Sequence, residues 1–106
     1  MRRGEIWWAE LEPPAGRRPV VLLSRDEAYG VRSLIIVAPV TTRIRRIPSE
    51  VPLGPDDGVP QDSVANLDTM TTIPKDCLVS RITTLSNKKL REVEAAIRFA
   101  LGIEQV

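Results

Sequence analysis

The 106 residues include no histidine, and this absence limits the chemistry that the side chains can do. Ser-His and Cys-His hydrolase machinery, a two-histidine ribonuclease mechanism and most catalytic zinc sites are therefore excluded. The six glycines are scattered and never form a GxGxxG or GxxxxGK(S/T) loop, which argues against a nucleotide-dependent enzyme. Any chemistry must come from arginine, threonine, serine and carboxylate side chains.

The other common kinds of site have little support in the sequence. Cys77 is the single cysteine, which excludes an intramolecular disulfide and a multi-cysteine zinc site, and its apolar context favours a packed side chain over a nucleophile. Asp56 and Asp57 could in principle bind magnesium, but the proline and glycine beside them are typical of a solvated turn. We therefore expect neither a metal nor a cofactor.

An RNA substrate would suit these residue types, because RNA carries its own nucleophile, the 2′-hydroxyl. A protein that cuts RNA has to orient this hydroxyl in line, stabilise the charge on the phosphorane and manage two protons. Arginine serves the charge well, whereas its pKa above about 12 makes it a poor proton donor unless it is strongly coupled to the leaving oxygen. Twelve of the fifteen basic residues are arginine, which suits bidentate phosphate contacts, although a GC-rich genome would give the same bias.

Charge is distributed unevenly along the chain, although the net charge is only +1. Seven arginines lie between residues 17 and 46 against two acids, whereas residues 50–76 carry six acids and one lysine. The first half is therefore predicted to form a basic surface and the next quarter an acidic one.

Hydrophobic patterning predicts a mainly β fold of roughly six or seven strands. Glu5 to Leu11 is a first strand that ends at a proline-glycine turn, and the apolar runs Pro19 to Ser24 and Ser33 to Val40 are typical of central strands buried on both faces. Shorter strands are predicted at Ser49 to Leu53, Ser63 to Asn66, Met70 to Ile73 and Cys77 to Ile82.

The last segment changes to a helical period and predicts a helix from Asn87 to Leu101. Ser86 is a suitable N-cap and Gly102 a suitable C-terminal stop. We expect a single domain over residues 1–106 in which this helix covers an open side of a small, strongly bent antiparallel sheet or barrel. Open edge strands in such a small barrel also predict a dimer.

No apolar run approaches the roughly 20 residues that span a bilayer. The N-terminus passes from two arginines straight into Gly4 and Glu5, which does not resemble a signal peptide. We therefore expect a cytoplasmic protein without membrane attachment.

Seven segments, in the same order and with similar spacing, resemble the MazF/PemK toxins and cover essentially the whole chain. The opening RGEIWWAEL of residues 3–11 is similar to the family's RGEIWWADL, and RRPVVLLS of residues 17–24 is similar to its xRPVVVLS strand. The other matching segments are VAPVTT (37–42), SEVPL (49–53), SVANLD (63–68), TIPKDCL (72–78) and RITTLS (81–86).

This resemblance implies an SH3-like barrel with a C-terminal helix, a homodimer and a sequence-selective, metal-independent endoribonuclease toxin. Its substrate would be single-stranded RNA, as mRNA or else tRNA or rRNA, cut to leave a 2′,3′-cyclic phosphate and a 5′-hydroxyl. A cognate antitoxin would inhibit it by laying an acidic segment over the RNA groove.

The resemblance also implies roles for individual residues. Arg18, which precedes Pro19, matches the family's catalytic arginine, and Thr41 matches its catalytic threonine, with Thr42 as a close rival. The RNA-binding candidates are Arg17, Ser24, Thr42, Arg43, Arg45, Arg46 and Asp68. Each candidate has a plain structural alternative, as a solvated charge or a residue that ends a strand.

The adjacent tryptophans and two departures from the family pattern qualify this interpretation. Trp7 and Trp8 point to opposite faces of a strand, so at most one can stack on a base or contact a second copy. Residues 13–17 form a short turn where many relatives have a longer loop that can gate the groove and supply a carboxylate, which leaves the general base unassigned. Asp68 is followed by Thr69 where the family has glutamine, which predicts an altered base preference.

Two other classes of function stay open at this point. A non-catalytic toxin of the same barrel type, similar to the gyrase poison CcdB, would act by protein contact. A plain SH3-like interaction module would bind a peptide or a nucleic acid without cutting it.

Overall fold

The computed structural model describes residues 1–103 as seven strands and two helices. The last three residues of the predicted domain 1–106 lie outside the described part. The elements are β1 (Glu5–Glu10), β2 (Arg17–Leu22), α1 (Ala28–Val31), β3 (Leu34–Thr41), β4 (Glu50–Leu53), β5 (Ser63–Asn66), β6 (Thr71–Pro74), β7 (Leu78–Thr84) and α2 (Asn87–Leu101). Short 3-10 turns are present at Pro55–Asp57, Leu67–Thr69 and Lys75–Cys77.

β3 lies at the centre of an antiparallel sheet with the strand order β4-β5-β3-β2-β1-β7. One edge of β3 pairs with β2, and the other edge is shared, since Leu34 to Val37 pair with β6 whereas Val40 and Thr41 pair with β5. The predicted class, mainly β with a C-terminal helix, is confirmed. The barrel is open within residues 1–103, because the end strands β4 and β7 do not pair with each other.

The observed strand bounds differ from the predicted ones by at most two residues. β2 begins at Arg17 rather than Pro19, because Arg17 and Arg18 continue the antiparallel ladder opposite Glu10 and Ala9 of β1. The prediction that β3 is buried on both faces is wrong for its first half, where Leu34 and Ile36 are 55% and 46% exposed. The helix α1 was not predicted, since four residues are too few to show a period.

The predicted helix α2 is confirmed at both ends. The Ser86 hydroxyl accepts a hydrogen bond from the Lys89 amide at 3.1 Å, and Gly102 ends the helix in a left-handed conformation with a φ of 69°. Val93 and Ala96 are buried against the main core, which also contains Ile6, Val21 and Leu67. Among residues 1–103 no helix is long and apolar enough to cross a membrane.

A second core cluster joins residues of the sheet to α1, which contributes Tyr29. The Tyr29 hydroxyl donates a hydrogen bond to the Ser24 carbonyl at 3.2 Å, and Lys75 Nζ donates to the Tyr29 carbonyl at 2.7 Å. Cys77 is half-buried and packs against this cluster, in agreement with its predicted packing role. The short helix is thereby fixed to the sheet.

Burial raises the pKa of Tyr29 from 10.0 to about 12, because the phenolate would lose its hydration. The folded state therefore favours the neutral phenol. This preference stabilises the fold fully below pH 10, and the stabilisation is lost as the pH rises through 12. We expect this loss to lower the free energy of unfolding by about 2 kcal/mol, in addition to any effect of other groups. Urea denaturation of wild type and Tyr29→Phe between pH 9 and 12 measures it, and parallel pH profiles of the two proteins would contradict it.

Candidate active site

A cleft of about 300 Å³ is situated where β2 begins and β3 ends. This cleft, called the Arg18 cleft below, brings together four residues of the predicted site. They are Arg17, Arg18, Thr41 and Thr42. Gln61 from the turn before β5 and Ser63, the first residue of β5, also line the cleft.

Arg18 and Thr41 line the same cleft because β2 begins and β3 ends on the same side of the sheet. The observed register joins Val20 to Pro39 and Val21 to Ala38. The observed pairing ends at Val20 and Pro39, and only an extension of the same register by two residues would set Arg18 opposite Thr41. Residues 23 positions apart in the sequence thus meet at one end of the sheet.

Arg18 is exposed, and its guanidinium is oriented by the backbone. Its Nε donates a hydrogen bond to the Ala15 carbonyl at 2.9 Å, which fixes the plane of the group. Within residues 1–103 no carboxylate forms a salt bridge with Arg18. The two terminal NH₂ groups are therefore available to an anionic ligand.

Arg17 has a different environment in the same cleft. Its Nη1 lies 3.5 Å from Glu10 Oε1, and its guanidinium carbon lies 5.3 Å from the ring centroid of Trp8. A carboxylate and an aromatic face therefore already hold this side chain. Arg17 is suited to attract and position a phosphate chain rather than to act on one reacting phosphate.

Thr41 presents a hydroxyl whose oxygen already accepts a hydrogen bond from the Arg43 amide at 3.1 Å. The hydroxyl proton is therefore the part that can still be donated to a ligand. Thr41 is half-buried in the last position of β3, whereas Thr42 is exposed and follows the strand. This geometry favours Thr41 over its rival.

The basic loop, residues 42–48, follows the cleft directly and carries Arg43, Arg45 and Arg46 with exposed side chains. The amides of Arg45 and Arg46 donate to Glu50 Oε1 at 2.9 and 3.1 Å. Arg46 has a φ of 59°, and these two bonds help to hold that unusual backbone conformation. The three arginines do not line the Arg18 cleft, and their contact with RNA stays a prediction.

The two tryptophans take opposite faces of β1, as predicted. Trp8 lines the Arg18 cleft and can offer its ring to a base. Trp7 packs against the second core cluster and donates its Nε1 hydrogen to Glu5 at 2.9 Å.

Ser24 and Asp68 do not line the Arg18 cleft, and their contact with RNA stays a prediction. Ser24 follows the opposite end of β2, where it is buried and its hydroxyl accepts a hydrogen bond from the Ile36 amide at 2.8 Å. Asp68 lies in the 3-10 turn after β5 and accepts a hydrogen bond from the buried Ser49 hydroxyl. Both side chains serve the fold in this structure.

The described residues that line the cleft include no aspartate or glutamate, so the general base stays unassigned. The sequence analysis did not assign Gln61 or Ser63 to the site, because Gln61 lies in a turn without a chemical motif and Ser63 is the first residue of a predicted strand. Within residues 1–103 no three His, Cys, Asp or Glu side chains are grouped so that they could hold a metal ion.

The fold and the cleft define a small β domain of the kind found in MazF toxins. The toxin MazF-mt6 of Mycobacterium tuberculosis has a TM-score of 0.87 at 31% identity, with 95% of this chain and 99% of that chain covered. A MazE-MazF crystal structure from Deinococcus radiodurans gives a TM-score of 0.81 at 26% identity, with 98% and 97% covered.

Sequence comparison identifies the family itself. The probable endoribonuclease MazF5 of Mycobacterium tuberculosis is 42% identical over 100 residues, which cover 93% of this chain and 91% of the relative. A model of the PemK-like, MazF-like toxins of type II toxin-antitoxin systems matches residues 2–101. The chain belongs to this family.

Proposed function

We propose that this protein is an endoribonuclease toxin that cuts single-stranded RNA in the Arg18 cleft without a metal ion. The observation that carries the proposal is the pair of side chains at the end of β2 and β3. Arg18 offers two unpaired NH₂ groups, and Thr41, opposite in the extended register, offers a hydroxyl proton. Both are donors, which suits a group that becomes more negative as it reacts.

In the proposed reaction the 2′-hydroxyl oxygen of a ribose attacks the adjacent phosphorus, and the bond to the 5′-oxygen of the next nucleotide breaks. The 2′-hydroxyl releases its proton to water, and the leaving 5′-oxygen takes a proton from water. The products are a 2′,3′-cyclic phosphate and a 5′-hydroxyl. Arg18 stabilises the charge on the non-bridging oxygens, and Thr41 donates a hydrogen bond to the same phosphate group. Arg17, Thr42 and the basic loop bind the flanking phosphates, and Trp8 offers a stacking surface for a base.

The partners follow from the family and from charge. We propose that a cognate antitoxin of MazE type inhibits the toxin by covering the Arg18 cleft with an acidic segment, since two exposed arginines line it. We also propose a cytoplasmic homodimer, in which the exposed side chains Leu34 and Ile36 are candidates for contact between copies.

The test is incubation of the purified protein with a long single-stranded RNA in EDTA. We expect cleavage at a restricted set of sites, 5′-hydroxyl ends and no dependence on added magnesium. An RNA with one 2′-deoxy nucleotide on the 5′ side of the cut is the matched control and should stay intact, because it lacks the nucleophile. Intact RNA at an excess of protein, or cleavage that EDTA abolishes, would contradict the proposal.

A further inference from the structure

A second cavity, called the Glu50 cavity below, adjoins the Arg18 cleft. Its volume is about 420 Å³, and Ser63 lines both spaces. Ile47, Pro52 and Val64 contribute apolar walls, whereas the charged lining residues are Arg46, Glu50 and the exposed Asp62. A cavity with these walls suits a flat heterocycle better than a phosphate or a sugar.

Glu50 supplies the observation that points to a ligand. Its side chain is 93% buried (7% exposed), and its Oε1 is occupied by the amides of Arg45 and Arg46. Its other oxygen, Oε2, is buried with no hydrogen-bond partner in the described part of the chain. A buried carboxylate oxygen without a donor is unfavourable, so a donor that reaches it from the cavity would bind with a gain.

We propose that the Glu50 cavity holds a nucleobase that flanks the cleaved phosphodiester, and that Glu50 Oε2 accepts a hydrogen bond from the amino group of that base. This inference rests on the proposed function. Cytosine, adenine and guanine carry an exocyclic amino group, whereas uracil presents two carbonyl oxygens around one ring N–H. If the carboxylate accepted from that N–H, it would lie close to both flanking carbonyl oxygens and be repelled by them, so we expect the cavity to discriminate against uracil.

The basic loop provides the access. Ile44 and Arg46 line the cavity from this loop and are both exposed, so they form its solvent-facing wall. Glu50 Oε1 holds the backbone of the same loop. The two carboxylate oxygens of Glu50 therefore have separate roles. Glu50 therefore positions the loop with one oxygen and selects the base with the other.

The first experiment compares RNAs that differ by one amino group. After the cut site is mapped, each flanking position is changed from cytidine to uridine, from guanosine to inosine, or from adenosine to purine riboside. We expect the loss of the amino group at one position to reduce kcat/KM about tenfold. This comparison uses the wild-type protein alone, and equal rates at every position would overturn the proposal.

The second experiment changes the acceptor by Glu50→Gln. The amide oxygen can still accept from the loop amides, while its NH₂ replaces Oε2 and complements a uracil carbonyl. We expect the variant to lose the tenfold preference and to cleave uridine-containing RNA better than wild type does. Asp56→Asn, which makes the same chemical change on an exposed turn outside the cavity, should retain the preference. An unchanged preference in Glu50→Gln would contradict the inference.

Binding separates a failure of this inference from a failure of the proposed function. The probes are 2′-O-methyl oligocytidine and oligouridine of equal length. They cannot be cleaved, and because each contains a single kind of base, their alignment in the cleft does not matter. Wild type should bind oligocytidine about tenfold more tightly by fluorescence anisotropy, and Glu50→Gln should bring the ratio near one. Selective binding without any cleavage would refute the nuclease and keep the base site, whereas equal binding of both probes by wild type would refute the site.

Discussion

Replacing Arg18 with alanine is expected to reduce kcat for RNA cleavage by a factor of about 10³. The guanidinium is held by the Ala15 carbonyl through Nε, so its terminal NH₂ groups are placed before the substrate arrives. Pre-placed donors stabilise the phosphorane without reorganising in the reaction, and alanine removes them altogether. Because Arg18 is exposed, the melting temperature should change little. Single-turnover cleavage of a defined oligonucleotide measures the effect.

Arg17→Ala is the matched control, since it removes a neighbouring exposed arginine from the same cleft. We expect this variant to raise KM by up to about tenfold and to reduce the salt dependence of binding by about one phosphate contact, with kcat nearly unchanged. Arg18→Lys should recover only part of the rate, because an ammonium cannot make the fork-like contact. Equal losses of kcat in Arg17→Ala and Arg18→Ala would show that the two arginines act only as general positive charge.

Thr41→Val is expected to lower kcat by about 10²-fold, the second largest effect. Valine keeps the β-branched shape that fits the end of β3, so the change isolates the hydroxyl. The hydroxyl oxygen accepts from the Arg43 amide in the structure, and we propose that its proton is donated to the phosphate. Loss of the first role loosens the basic loop and raises KM, whereas loss of the second lowers kcat.

Two companion variants separate these roles. Thr41→Ser restores both hydrogen bonds and should return most of the activity. Thr42→Val tests the neighbouring exposed hydroxyl and should leave kcat within about threefold of wild type. A larger loss of kcat in Thr42→Val than in Thr41→Val would transfer the proposed role to Thr42.

The sequence predicts the local elements well where the pattern itself decides the structure. The helix α2 is correct to the residue because its cap, its stripe and its terminal glycine all agree. The start of β2 is less well predicted, because Arg17 and Arg18 become strand residues only through pairing with Glu10 and Ala9 of β1. The exposure of the first half of β3 is also decided by tertiary structure. Whether one face or both faces of this strand are buried depends on which other segments pack against it.

The candidate site also combines residues that the sequence predicts with residues that only the tertiary structure identifies. Arg18 and Thr41 come from the family resemblance, and the β2–β3 register gives them a common location. Ser24 belongs to the same matched segment as Arg18, yet it follows the opposite end of β2, and a linear match cannot distinguish the two ends. Glu50 has no chemical signal in the sequence, because its burial and its unpaired oxygen exist only after β4 has paired with β5.

The way Glu50 holds the basic loop has a consequence for how such toxins can diverge. The carboxylate grips the main-chain amides of Arg45 and Arg46 and makes no use of their side chains. The shape of the segment is therefore inherited independently of the groups that it displays. The side chains at positions 43 and 45 can therefore be exchanged without breaking these bonds, whereas position 46, with its φ of 59°, limits which residues fit.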